Sequence, residues 1–250
     1  MFNRDLWAGA YASKAFPKFL CPKCATGRLT LDEKIFVKQP VYSLIESKHP
    51  DWEPDWDVER FSLRLICDIV ECGEVAHVMG DTTVAEYYDE EFNGWGLVSL
   101  LRAQAFFPAP PIIEIPNEVP DSVRTEIIKS FELFWVDLSS CANRLRVSVE
   151  LLLDHFKIPR SSIDKNGRST RLDLNARISL FEKSDSEHAP TLTALRMIGN
   201  LGSHGDKVNR RPLLDAFEIY EYALAELCGQ RKVRIEQLRQ KLISSKGEYS

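Results

Sequence analysis

The chain has no apolar run approaching the length of a membrane span, which excludes a helical span by hydropathy. Its first sixteen residues, MFNRDLWAGAYASKAF, hold no sustained apolar core of the kind a secretory signal needs. There is no glycine-rich phosphate loop of the Walker type. No Ser, His, Asp order of a hydrolase triad is visible, and five histidines form no metal-binding run. No pair of carboxylates is set for acid–base work on a glycosidic bond. Internal repeats are missing too. A positive excess is also lacking: 32 Lys and Arg stand against 37 Asp and Glu, a net charge of −5 over 250 residues. That balance argues against strong non-specific binding to nucleic acid. A cytoplasmic chain with no membrane partner is expected.

What is present divides the chain in two. Residues 1–110 hold 11 basic and 17 acidic side chains, and residues 111–250 hold 21 and 20. The acidity therefore lies in the first part. There, FVKQPVYSLI and RFSLRLICDIVECGEVAHVMG read as short strands, and SKHPDWEPDWDVE reads as an acidic surface loop. Five prolines in FPAPPIIEIPNEVP exclude a helix interior or central strand, so residues 107–120 are expected to be an extended tether. After it the period becomes helical. From Asp121, a good N-cap, apolar residues recur at Val123, Ile127, Phe131, Phe134, Leu138, Cys141, Leu145, Val149, Leu152 and Phe156, the stripe of one long helix or two nearly continuous ones. SSIDKNGRSTR reads as a loop, Asp173 as a helix cap, and Pro190 and Pro212 as helix starts. The tail, RKVRIEQLRQKLISSK, reads as a charged amphipathic helix. The expected fold is α+β: residues 1–106 as a small β region, then a helical bundle over 121–250.

Six cysteines fall into two kinds. Cys141 and Cys228 are solitary and lie on apolar helical stripes. Cys21 and Cys24, and Cys67 and Cys72, form two close pairs, each followed by a glycine. In a reducing compartment such pairs point to metal more than to disulfides. A turn with a nearby glycine lets backbone amides face thiolate sulfur. Two such turns brought together make a closed four-sulfur site for one structural Zn2+. His77, five residues after Cys72, is a candidate to replace one thiolate. Four reduced cysteines without metal are the plain alternative.

The stretches NRLRVSVELLLDHFKIP, LDLNARISLF, LTALRMIGNLGSHGD and LLDAFEIYEYALAEL resemble the domain-of-unknown-function family 4145 over roughly residues 120–230. The resemblance implies a bacterial protein of the kind found beside defence components, some of which carry an N-terminal zinc ribbon. It also implies a fold similar to the HEPN helical bundles, several of which are metal-independent ribonucleases. Their motif has an arginine, a polar residue and, four residues later, a histidine. Aligned on Asn200 and His204, this chain has Gly199 in the arginine position. Arg196 lies two helical turns before His204, about 12 Å along the axis. An arginine from a second copy, Arg144 or Arg146, is the other route to a guanidinium. Packing explains the same stretch without catalysis: Gly199 and Gly202 admit a neighbouring helix, Asn200 satisfies backbone groups and His204 caps a helix end.

Two segments are basic. Lys157, Arg160, Lys165, Arg168 and Arg171 lie in one, and Lys207, Arg210 and Arg211 in the other. If adjacent, they form a phosphate-binding patch; if separate, they are solvated loops. Trp52, Trp56, Trp95, Phe106 and Phe107 are either a base-stacking platform or packing residues. The reading that follows is a non-catalytic zinc-containing binding or adaptor protein of a bacterial defence or nucleic-acid-processing system. Its competitors are a HEPN-type ribonuclease acting as a homodimer through His204, Asn200 and Arg196, and a protein-interaction module that meets no nucleic acid.

Overall fold

The computed structural model describes residues 3–32, 34–90, 93–163, 167–203, 207–229 and 231–248. The fold is α+β, a curled antiparallel sheet followed by helices. Two compact units result. One comprises Met1–Pro111 with Phe131–Asp137, and the other Ile112–Ser130 with Leu138–Ser250.

The first unit contains β1 (Ala10–Ala12), β2 (Phe19–Leu20), β3 (Arg28–Leu31), β4 (Phe36–Lys38), α1 (Val41–Glu46), β5 (Arg60–Cys67), β6 (Val75–Asp89) and β7 (Gly94–Phe107). The order is β1-β7-β6-β5-β3-β2, all neighbours antiparallel. Along one edge of β5, β3 pairs with the Leu65–Cys67 end and β4 with the Arg60–Ser62 end. Alternation selects the buried face: Phe61, Leu63, Leu65 and Cys67 of β5 point inward, as do Ala76 and Val78 of β6. Leu101, Ala103 and Phe106 of β7 join them. Trp7, Phe19, Phe106 and Trp135 complete an aromatic core, with Phe19 ring centroids 5.5, 5.2 and 5.7 Å from those of Trp7, Phe106 and Trp135. Edge-on and tilted contacts of this kind add to the area they bury. On the opposite face, Asp81 accepts hydrogen bonds from Arg102 at 2.7 and 2.8 Å and from Gln104 at 2.8 Å. That arginine contact holds the Asp81 carboxyl below its ordinary range, against the opposing effect of burial.

Two local expectations change. In FVKQPVYSLI only Phe36–Lys38 is strand, and Val41–Glu46 is a helix. The β6–β7 hairpin, with strands of 15 and 14 residues, extends the sheet well beyond the short strands read from the sequence.

The second unit contains the start of α2 (Asp121–Val136), then α3 (Leu138–His155), β8 (Ser161–Ile163), β9 (Ser169–Arg171), α4 (Leu174–Glu182), α5 (Ala189–Ser203), α6 (Arg210–Leu227) and α7 (Arg231–Ser244). The apolar stripe from Val123 to Phe156 thus runs over two helices that break at Asp137. Leu145, Val149 and Leu152 of α3 meet a core shared with Leu192 and Leu195 of α5 and Leu213, Phe217 and Leu224 of α6, all fully buried. The hydroxyls of Ser148 and Tyr220 meet at 3.0 Å within it. Asp173 caps α4, its Oδ1 accepting from the Ala176 amide at 2.7 Å. SSIDKNGRSTR is not an open loop: Ser161–Ile163 pairs antiparallel with Ser169–Arg171. From Pro108 to Pro120 no helix or strand forms, yet Ile112, Ile113 and Val119 are buried. Among the described residues no helix is long and apolar enough to cross a membrane.

Candidate metal centre and basic residues

Two hairpin tips bring the cysteines together. The first connects β2 to β3 and carries Cys21 and Cys24. The second connects β5 to β6 and carries Cys67 and Cys72. Because Leu29 of β3 pairs with Cys67 of β5, the two tips are neighbours. The long gap between the cysteine pairs is therefore an excursion through β4 and α1 that returns along the same sheet edge.

Each tip is pinned by its backbone. Cys21 N–H donates to the Gly27 carbonyl at 2.9 Å, and Ala25 N–H to the Cys21 carbonyl at 3.0 Å. In the second tip, Cys67 N–H donates to the Glu74 carbonyl at 2.9 Å, and Gly73 N–H to the Ile69 carbonyl at 3.0 Å. Gly73 takes a φ of +54°, where a side chain is strained. The tips are also tied to each other: Arg28 N–H donates to Asp68 Oδ1 at 2.7 Å, and Asp68 N–H to the Arg28 carbonyl at 2.9 Å. A Cβ on Gly27 would stand 2.5 Å from Cys67 Sγ, so only glycine fits between the pairs.

The sulfurs of Cys21 and Cys72 lie 3.8 Å apart, and those of Cys24 and Cys67 lie 3.7 Å apart. All four lie within 4.8 Å of one another. A disulfide needs about 2.05 Å, and the cysteines are free. A tetrahedron with metal–sulfur bonds of about 2.3 Å has sulfur–sulfur edges of about 3.8 Å. The four side chains therefore fit a metal ion. Both partners in each short contact come from different tips, so an ion here would cross-link the two hairpins.

The thiols are electrostatically unequal. Hydrogen bonding to Thr26, and to the Gly27 amide 3.3 Å from Sγ, lowers the Cys24 thiol to about 6. Burial raises Cys67 to about 12 and also raises Cys21. His77 lies on the exposed side of β6 and is no member of the cluster. Among the described residues, these cysteines are the group of three or more His, Cys, Asp or Glu side chains placed to hold a metal ion. Cys141 is buried in α3, and burial raises Cys228 to about 11.

The glycine stretch packs against α3. A Cβ at Gly199 would collide with Arg146 Cβ, and one at Gly202 with the Ser139 carbonyl. Stepping from Gly202 to Gly199 moves the contact from Ser139 to Ala142 and Arg146, so α5 runs antiparallel to α3. The Arg146 guanidinium reaches Glu150 at 3.3 Å, one turn onward from the Ser139 end. Arg144 pairs with Glu126 at 2.9 Å. Arg196 is half-buried, its Nε without an acceptor among the described residues, and Asn200 is half-buried. His204 and Lys165 lie outside the described residues.

The basic segments adjoin opposite ends of α3. Gly202 packs at its first turn, and Lys207, Arg210 and Arg211 follow; Arg160, Arg168 and Arg171 follow its last turn. Eighteen residues of helix separate those ends by about 27 Å. Arg160 and Arg171 border one cavity of about 300 Å³ together with Arg146, read from the sequence only as a guanidinium for a second copy, and Arg177, which the sequence did not single out. Three of the aromatic residues do not share one platform: Phe106 is in the core, while Phe107 and Trp95 are 71% and 75% exposed at opposite ends of β7.

No curated protein and no solved structure matches the chain. Residues 9–99, which contain all four clustered cysteines, match a family described as a domain of unknown function (DUF8608). Residues 129–245 match a second domain of unknown function (DUF4145), the family that the helical stretches resemble.

Proposed function

We propose that the chain is a non-catalytic, zinc-stabilised binding protein. The observation that carries this reading is the four-cysteine cluster at two adjoining hairpin tips. Four thiolates fill a tetrahedral shell, so zinc there would fix structure and leave no coordination position for substrate. Cys21, Cys24, Cys67 and Cys72 are the ligands in this reading. The setting, bacterial defence or nucleic-acid processing, rests on the resemblance to family 4145. The domain division into a metal-holding part over 1–106, a proline-rich connection over 107–120 and a helical part over 121–250 belongs to the same proposal.

The ribonuclease reading needs a guanidinium next to His204. Arg144 is engaged by Glu126 and Arg146 reaches toward Glu150, which favours binding over cleavage. The test is incubation of purified wild type and His204→Ala with single-stranded RNA in a metal chelator. Intact RNA in both is expected. Cutting by wild type that disappears in His204→Ala would overturn the reading. Gel shifts separate the two binding classes: a complex at low salt that weakens steeply as salt rises marks nucleic acid, and its absence at low salt favours the protein-interaction class.

A further inference from the structure

The cavity bordered by α3, β9 and the start of α4 has a lining that neither the metal centre nor the glycine stretch uses. Four arginines border it: Arg146, Arg160, Arg171 and Arg177. Among the described residues, three carboxylates stand near them, and each is occupied. Asp173 caps α4. Asp154 takes Arg160 through both guanidinium arms and Arg177 at 2.7 Å. Glu150 meets Arg146 at 3.3 Å. Four cations against three anions leave one positive charge over. Arg171 is that charge, since its side chain has no ion pair or hydrogen bond among the described residues.

Two further donors lack acceptors. The Nε–H groups of Arg146 and Arg177 are buried with no hydrogen-bond partner among the described residues, and the Arg177 side chain is only 5% exposed. Buried donors without acceptors are costly, so the guanidinium groups that border the cavity keep hydrogen-bonding capacity that their carboxylates do not use. The positive end of the α4 dipole faces the same space, because Asp173 and Leu174, its cap and first residue, are lining residues. Planar guanidinium forks match phosphate geometry. Leu172 and Leu174 add an apolar wall that a bare phosphate does not need. The volume stands at the lower bound of small-molecule sites, roughly 300–1,000 Å³.

We propose that this cavity binds a phosphate monoester carried on a small organic group, a nucleoside 5′-monophosphate in size, with Arg171 supplying the uncommitted guanidinium. This deepens the binding reading above by naming a ligand class for the helical unit. It does not depend on the metal, and metal content measured on the same sample keeps the two apart.

The experiment is titration calorimetry on the full chain at low salt, with adenosine 5′-monophosphate, inorganic phosphate, adenosine and a 5′-phosphorylated oligonucleotide as probes. Saturable one-to-one binding of the monophosphate is expected, weaker binding of inorganic phosphate, and none of adenosine. Arg171 is exposed, so Arg171→Ala should fold normally and lose at least about tenfold in affinity, the scale of one charged hydrogen bond. Arg171→Lys should restore part of that loss. An oligonucleotide that binds at least as tightly as the monophosphate assigns the phosphate to a strand end; one that binds more weakly assigns it to a free nucleotide. The proposal is overturned if neither the monophosphate nor the oligonucleotide binds, or if Arg171→Ala binds either as well as wild type does.

Discussion

Gly202 and Gly199 are the residues with least room in the helical unit. A methyl group at Gly202 meets the Ser139 backbone, which moves only if α3 moves. At Gly199 it meets Arg146 Cβ and the Ala142 carbonyl. Alanine gains about 1 kcal/mol of helix propensity over glycine, whereas overpacking costs about 1–3 kcal/mol. Gly202→Ala and Gly199→Ala should therefore each lower the denaturant midpoint; a raised midpoint would mean that α3 and α5 are not packed this closely. Gly27→Ala tests the same principle at the sulfurs, and should lower metal content without changing the cysteine count. The sequence marked these glycines as exceptional for a helix or a turn. It did not reveal their neighbours, because a missing Cβ says that something approaches and not what. Arg177 was illegible for the same reason, and Arg146 was read only as a guanidinium that a second copy could supply: neither could be placed at this cavity until α3, α4 and β9 meet.

Among the elements, α4 depends on its ends. Asp173→Ala removes the acceptor for the Ala176 amide and should cost about 1 kcal/mol, read from chemical denaturation. Just before it, Asp154 joins α3 to α4 through Arg177 and to the chain ahead of β8 through Arg160. The Arg160 hydrogen bond, with help from Arg177, holds the Asp154 carboxyl below its ordinary range against the opposing effect of burial. In the unfolded chain it titrates near 3.9, so its stabilisation is complete above about pH 4 and fades as the pH falls through the lower folded value. Denaturation midpoints should drop in that acid window, and less steeply in Asp154→Asn; equal slopes would contradict the pairing. Long helices were legible from their stripes, and Asp173 from its place before LNARISLF. The β8–β9 hairpin was not, because all six paired residues are exposed and show no apolar alternation. VYSLI misleads for a related reason: Val41 and Ile45 are 73% and 65% exposed, so burial does not select a strand there.

At the scale of the whole molecule, four cysteines on two hairpin tips are placed so that a metal ion could cross-link the sheet unit. The cysteine pairs were legible as a candidate metal-ligand set, and the structure brings all four sulfurs within 4.8 Å, where they could hold an ion. The excursion between them was not, since only the pairing of Leu29 with Cys67 shows how the tips become neighbours. If zinc holds them, a strong chelator should lower the unfolding temperature of the sheet unit, because metal-binding energy there is folding energy. The most direct measurement is mass spectrometry of the intact chain under native and then acid conditions, for wild type and Cys67→Ser. The account predicts one zinc ion per native wild-type chain, released by acid and missing from the variant. A metal-free native mass, or a full zinc ion retained by Cys67→Ser, would contradict it.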